Sequence, residues 1–95
     1  AILEVEPGTI RRLHRHPDSE ECFSPLAGAP CIAVALPEQP DDIAYFGLTE
    51  PVCIQRQVWH EVFTLADAPA QVFIAENASI SGEDLYLNSP SQAET

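Results

Sequence analysis

Lysine and methionine are both absent from this chain of 95 residues, and only four arginines supply positive charge. Fifteen acidic residues outweigh them and give a formal net charge of −11 at pH 7. Because such a field repels phosphate backbones and anionic membrane surfaces, we expect neither nucleic acid nor a membrane as a partner. The absence of lysine also excludes Schiff-base chemistry on an enzyme amine.

Cysteine is scarce, and its spacing suggests no pairing. Cys22, Cys31 and Cys53 are odd in number and form no CxxC pair. We therefore predict that all three are buried, inert side chains in a reducing, cytoplasmic protein. No apolar run approaches the roughly 18 residues that cross a bilayer, and no signal-peptide pattern is visible.

Long helices are also excluded, because nine prolines leave no uninterrupted window for one. The remaining short runs, bounded by turn residues, predict six to eight strands in an all-β domain over residues 1–95. The polar tail, residues 88–95, is predicted to be loose. The predicted strands lie at residues 1–5, 9–16, 21–26, 31–36, 43–46, 52–65 with a bend near 55–57, 71–75 and 85–87.

The chain has three histidines, and two of them stand one residue apart. His14 and His16 share a strand face, because alternate residues of a strand point the same way. A carboxylate follows four or five positions later, as Glu20 or Glu21, and His60 lies on a distant predicted strand. Imidazole nitrogens with a carboxylate suit Zn, Mn, Fe or Ni, so the pattern predicts a site for a divalent metal ion.

These residues resemble the first motif of the cupins, which is Gly, five residues, His-x-His, three or four residues, Glu, six residues, Gly. Only Glu21 leaves six residues before the last glycine, so the resemblance favours Glu21 over Glu20. His60 fits the histidine of the second motif, although Gln55-Arg56-Gln57 replaces its Pro-x-Gly and Thr64 its asparagine. The resemblance implies a cupin-type antiparallel β-barrel or jelly roll with four metal ligands. The residues that match are Gly8, His14, His16, Glu21, Gly28 and His60.

A finer resemblance covers roughly residues 13–75. Arg15-His16-Pro17, Phe23-Ser24-Pro25-Leu26 and Val58-Trp59-His60 are similar to strings of the ureidoglycolate lyase family, which is itself cupin-like. Three positions depart from that family, since Glu21 stands for its usual glutamine, Glu61 for a second histidine, and His14 stands where the family often has a residue other than histidine. The resemblance implies a metal-dependent enzyme that splits ureidoglycolate, a small carboxylate, into glyoxylate and urea.

Five further residues are candidates for that chemistry. Glu61 or Glu20 could relay a proton, and Phe23 could line the pocket or simply fill it. Arg12 and Arg56 share the face of the histidines and could bind a substrate carboxylate. The alternative is that both arginines pair with acids, or that a bulge turns them outward.

Two other functions remain open at this point. A chain this short could be a binding module for a metal or small ligand, without turnover. It could also be a dioxygenase or isomerase that uses Fe or Mn in the same site. Edge strands, with Trp59 or Phe63 exposed, predict a homodimer.

Overall fold

The computed structural model describes residues 1–8, 10–76 and 82–91, with the backbone alone for residues 88–91. Nine strands are present in this part of the chain, and no helix of the bilayer-crossing kind, long and apolar, occurs in it. The strands are β1 (Ile2–Val5), β2 (Ile10–Arg15), β3 (Glu21–Ala27), β4 (Pro30–Ala35), β5 (Ala44–Gly47), β6 (Val52–Ile54), β7 (Trp59–Thr64), β8 (Ala70–Ala75) and β9 (Glu83–Ser91).

The strands form two antiparallel sheets. One has the order β1-β8-β3-β6 and the other the order β5-β4-β7-β2-β9. The all-β prediction is confirmed, and so is the break of the 52–65 stretch into β6 and β7. The last strand is longer than predicted, because the backbone of residues 88–91 continues β9 where a loose tail was expected.

Each face of the five-stranded sheet carries a cluster of buried apolar residues. The inner face packs against the four-stranded sheet through residues such as Phe23, Ile32 and Val72. A second cluster, on the outer face, contains Trp59 and Phe63, which are 7% and 5% exposed. Both aromatic residues are thus buried within the chain, and of the two grounds for the homodimer prediction only the edge strands remain.

The prediction that the three cysteines are unpaired is wrong for two of them. Cys22 and Cys53 lie directly opposite each other on β3 and β6 and form a disulfide. Cys31 is the free cysteine and packs, half-buried, against the outer cluster. Disulfides form and persist in oxidising environments, so the basis for predicting a reducing compartment is lost.

The turn between β6 and β7 carries the left-handed residue that the missing motif glycine would supply. Gln57 has a φ of 71°, and its N–H donates to the carbonyl of His16 at 2.9 Å. A left-handed conformation costs a non-glycine residue roughly 1–2 kcal/mol. The fold therefore keeps the turn at an energetic cost, and the turn ties the end of β2 to the start of β7.

Replacing Gln57 by glycine is expected to stabilise the protein by about 0.5–1 kcal/mol. Glycine removes the strain at positive φ, and its greater freedom in the unfolded chain offsets part of that gain. Urea unfolding followed by far-UV circular dichroism would measure the change. Gln55→Gly is the matched control, because Gln55 has no positive φ, and it should lose stability. Equal losses in both variants would contradict the assignment of strain to Gln57.

Candidate metal centre

Two buried histidines converge on one carboxylate oxygen inside the sandwich. The Nε2 atoms of His16 and His60 lie 3.0 Å and 2.9 Å from Oε1 of Glu21. The three residues are 6%, 4% and 6% exposed for His16, His60 and Glu21 respectively. They come from the end of β2, the start of β3 and the middle strand β7, so three separate segments of the chain build the group.

The hydrogen bonds of His60 place a lone pair of its Nε2 against a carboxylate oxygen of Glu21. Its Nδ1 lies 3.0 Å from the carbonyl of Val58, which can only accept, so Nδ1 donates. In a neutral imidazole Nε2 then bears a lone pair, and this lone pair faces the carboxylate oxygen of Glu21. A proton or a metal cation between the two atoms resolves that conflict. The donor set therefore fits a divalent metal ion, with two imidazole nitrogens and one carboxylate oxygen as ligands.

Glu21 is ionised at neutral pH despite its burial. Burial raises its pKa, but hydrogen bonds with His60 and Glu76 and, when the imidazoles carry a proton, the charges of His60 and His16 outweigh that effect and lower the pKa to about 2. Glu76 shows the opposite shift, because its hydrogen bond to Glu21, burial and the neighbouring charge of Glu21 all raise its pKa. Of the two carboxyl groups, Glu76 is thus the one whose pKa is raised and Glu21 the one whose pKa is lowered.

His14 lies beside these three residues but outside their group of converging atoms. Its ring centroid is 4.6 Å from that of His16 and 6.1 Å from that of His60. Nδ1 of His14 hydrogen-bonds to the carboxylate of Asp84, its register partner on β9. Because that bond places the proton on Nδ1, Nε2 keeps its lone pair and can serve as a ligand.

Two residues of this arrangement were not predicted. Asp84 accepts from His14 and also from Arg12 at 3.0 Å, so it positions the imidazole. Gly82 packs its backbone against the same ring, where a Cβ atom would lie 2.7 Å from Nε2 of His14. A single acid or glycine in a polar stretch gives no signal in the sequence. Only the pairing of β9 with β2, about 70 positions away, brings them to the histidines.

The two candidate substrate arginines are placed differently. Arg12 pairs with Asp84 and, at 3.6 Å, with Glu61, and its side chain is 46% exposed. The register of β2 against β9 shifts between Ile10 and Arg12 but is continuous from Arg12 to Arg15, so Arg12 keeps the parity of His14. Of the alternatives for Arg12, the structure shows the pairing with acids.

Arg56 and Glu20 lie together at a cavity of about 530 Å³, whose lining does not include the metal donors. Its lining also includes Glu76, through which it adjoins Glu21. Phe23 is 3% exposed and stands 5.5 Å from His60, ring centre to ring centre, so it fills the core beside the donors. Glu61, the other candidate for proton transfer, accepts from the N–H of Val62 and pairs with Arg12. Burial raises the pKa of Glu61 and outweighs the opposing charge of Arg12.

Replacing Asp84 by asparagine is expected to weaken divalent-metal binding about 10–100-fold, the usual cost of losing the carboxylate that orients a histidine ligand. Isothermal titration of the metal-stripped protein with Mn²⁺ or Zn²⁺ would measure the affinity. Glu83→Gln is the matched control, because Glu83 pairs with Arg15 and not with His14. The same loss in both variants would show that only the negative charge near β9 matters.

No known protein family matches the chain, and no curated protein does either. Solved structures do match. CapF, a capsular polysaccharide assembling protein from Staphylococcus aureus, superposes with a TM-score of 0.69 at 21% identity over 80% of this chain and 21% of its own. Oxalate decarboxylase from Bacillus subtilis gives 0.65 at 23% identity, over 92% of this chain and 22% of its own.

A third structure, the formate complex of oxalate decarboxylase from Lactobacillus farciminis, gives a TM-score of 0.61 at 26% identity, over 92% of this chain and 25% of its own. The chain therefore spans a quarter or less of each of these three proteins. These neighbours are cupin-fold proteins, and the likeness shows that this chain has the cupin fold.

Proposed function

We propose that this chain is a divalent-metal enzyme of the cupin fold that acts on a small carboxylate. The observation that carries the proposal is the buried convergence of His16 and His60 on one oxygen of Glu21, with Nδ1 of His60 already donating to a carbonyl. His14, oriented by Asp84, is proposed as the fourth ligand. A bound ion supplies Lewis-acid polarisation of the substrate's oxygen atoms.

Manganese is the first metal to test. One solved structure of the Bacillus subtilis oxalate decarboxylase is described by its Mn(II) centers, and a set of imidazole and carboxylate ligands accommodates that ion. Zn, Fe and Ni suit the same donors and belong in the same titration.

Ureidoglycolate cleavage to glyoxylate and urea is the first reaction to assay. In this reaction Glu76, whose pKa is raised by its hydrogen bond to Glu21, is proposed ahead of Glu20 and Glu61 as the group that exchanges a proton with a bound substrate. The assay compares urea release by the metal-loaded wild type with His16→Ala and His60→Ala. Activity that survives in both variants would overturn the proposal of a metal-dependent lyase.

A binding module without turnover is the second candidate, and the positions of the arginines favour it. Arg12 is engaged by two carboxylates, and Arg56 lies at a separate cavity. A substrate carboxylate would thus lack the cation that the lyase account assigns to it. Tight metal binding without urea release, in a protein that still binds small acids, would support the module.

A further inference from the structure

A cavity opens at one side of the sandwich, where the edge strands of the two sheets face each other. It has a volume of about 320 Å³ and lies between β5, the edge of one sheet, and β6, the edge of the other. We call it the edge chamber. It is lined by Ile32, Val34, Phe46, Gly47, Thr49, Glu50, Val52 and Ile54.

The inner wall of the edge chamber adjoins the metal donors. Val34 pairs with His60 across β4 and β7, and Ile54 pairs with Glu21 across β6 and β3. Side chains directly opposite each other in an antiparallel pair lie on the same face, with Cβ atoms about 4.5–5.5 Å apart. The chamber is therefore one side chain away from both His60 and Glu21.

The lining is apolar except at the mouth. Thr49 and Glu50 are its two polar side chains, and both belong to the loop between β5 and β6. Ile32 and Ile54 also belong to the inner core. An apolar cavity of about 150 Å³ already holds benzene in another protein. A space of 320 Å³ therefore accommodates a phenyl ring or a branched aliphatic group with room for a linker.

We propose that the edge chamber binds the apolar part of the substrate, whose oxygen-bearing end is held at His16, Glu21 and His60. This inference rests on the metal site proposed above and names its substrate class, a 2-hydroxy acid with a phenyl or branched aliphatic side group. Burial of that group against Val34 and Ile54 stabilises the complex through the hydrophobic effect. The carboxylate of Glu50 at the mouth disfavours a second acidic group at the far end. Ureidoglycolate lacks such an apolar group, so the two substrates are separate alternatives.

The test compares two acids with the same carboxylate and hydroxyl groups, glycolate and 3-phenyllactate. Binding to the Mn²⁺-loaded wild type is measured by isothermal titration. Since full burial of a phenylalanine-sized side group is worth roughly 2 kcal/mol, 3-phenyllactate is expected to bind on the order of 30-fold tighter. Equal affinity for the two acids, with metal bound, would overturn the inference and leave the metal site intact.

Two variants locate the effect. Val52→Phe fills the chamber from β6 and should reduce the preference for 3-phenyllactate to less than about threefold, with glycolate and metal binding unchanged. Leu26→Phe is its control, because Leu26 is 52% exposed and does not line the chamber. If Val52→Phe fails to fold, Phe46→Ala serves instead, since Phe46 is an edge residue that is 56% exposed. That variant should weaken 3-phenyllactate binding severalfold and leave glycolate binding unchanged, and a preference that survives it undiminished would contradict the chamber.

A measurement without metal separates failure of this inference from failure of the metal site. Benzyl alcohol, which has no acid group, is titrated into the metal-free protein while the methyl signals of Val34, Val52 and Ile54 are followed by NMR. Saturable shifts at these three residues support the chamber even if no metal binds. Their absence would overturn the chamber whatever the metal titration gives.

Discussion

Replacing Glu21 by glutamine should weaken the binding of a divalent metal ion by more than about 100-fold. The substitution keeps the size of the side chain but removes the charge, and loss of a direct ligand should exceed the 10–100-fold cost of losing an outer-shell partner. His16 and His60 would keep a hydrogen-bonding partner in the amide, so the fold should survive. Titration of metal-stripped protein with Mn²⁺ and Zn²⁺ measures the loss.

Glu20→Gln is the control that makes this result specific. Glu20 precedes Glu21 in the chain, and replacing it removes the same charge. Glu20 is exposed, however, and lines the cavity that contains Arg56. Its metal affinity should stay within about twofold of the wild type, because exposed charges are well screened at physiological salt. If Glu20→Gln were the more damaging variant, the choice of Glu21 as the ligand would be wrong.

The strands could be predicted from local patterns, because turn residues and alternation act over a few positions. Proline and glycine bound most of the short runs, and the bend at Gln55-Arg56-Gln57 is the turn that separates β6 from β7. The end of β9 was missed because local patterns carry no information about pairing with a distant strand. Residues 88–91 are polar, and only their pairing with β2 makes them a strand.

The candidate site was predictable as far as the spacing of the histidines and Glu21, and no further. Asp84 reaches His14 across 70 positions of sequence, a contact that strand pairing decides and composition does not. Arg12 was assigned by alternation to the histidine face. The register from Arg12 to Arg15 is continuous, so Arg12 keeps the parity of His14, but its guanidinium pairs with Asp84 and Glu61. The sequence does not indicate this pairing, because the two acids lie on β9 and β7, far from Arg12 in the chain.

Removing the Cys22–Cys53 disulfide should have the largest effect on stability. The bond joins residues 31 positions apart. Closing a loop of that length lowers the entropy of the unfolded chain, which raises the free energy of unfolding by about 3–4 kcal/mol at 25 °C. The double variant Cys22→Ser with Cys53→Ser is therefore expected to melt roughly 15–25 °C lower than the wild type. Differential scanning calorimetry, with and without a reductant, measures the change.

Cys31→Ser is the matched control, because Cys31 is free and half-buried, and its effect should stay within about 1 kcal/mol. Reductant should lower the melting temperature of the wild type and leave that of the double variant unchanged.

The disulfide also lies next to the proposed ligand, since Cys22 follows Glu21 and Cys53 precedes Ile54, the register partner of Glu21. Metal at about 100 times its dissociation constant stabilises a native state by about 2.7 kcal/mol, so it should restore much of the lost stability. If the double variant had the same melting temperature as the wild type, β6 would be held by packing alone.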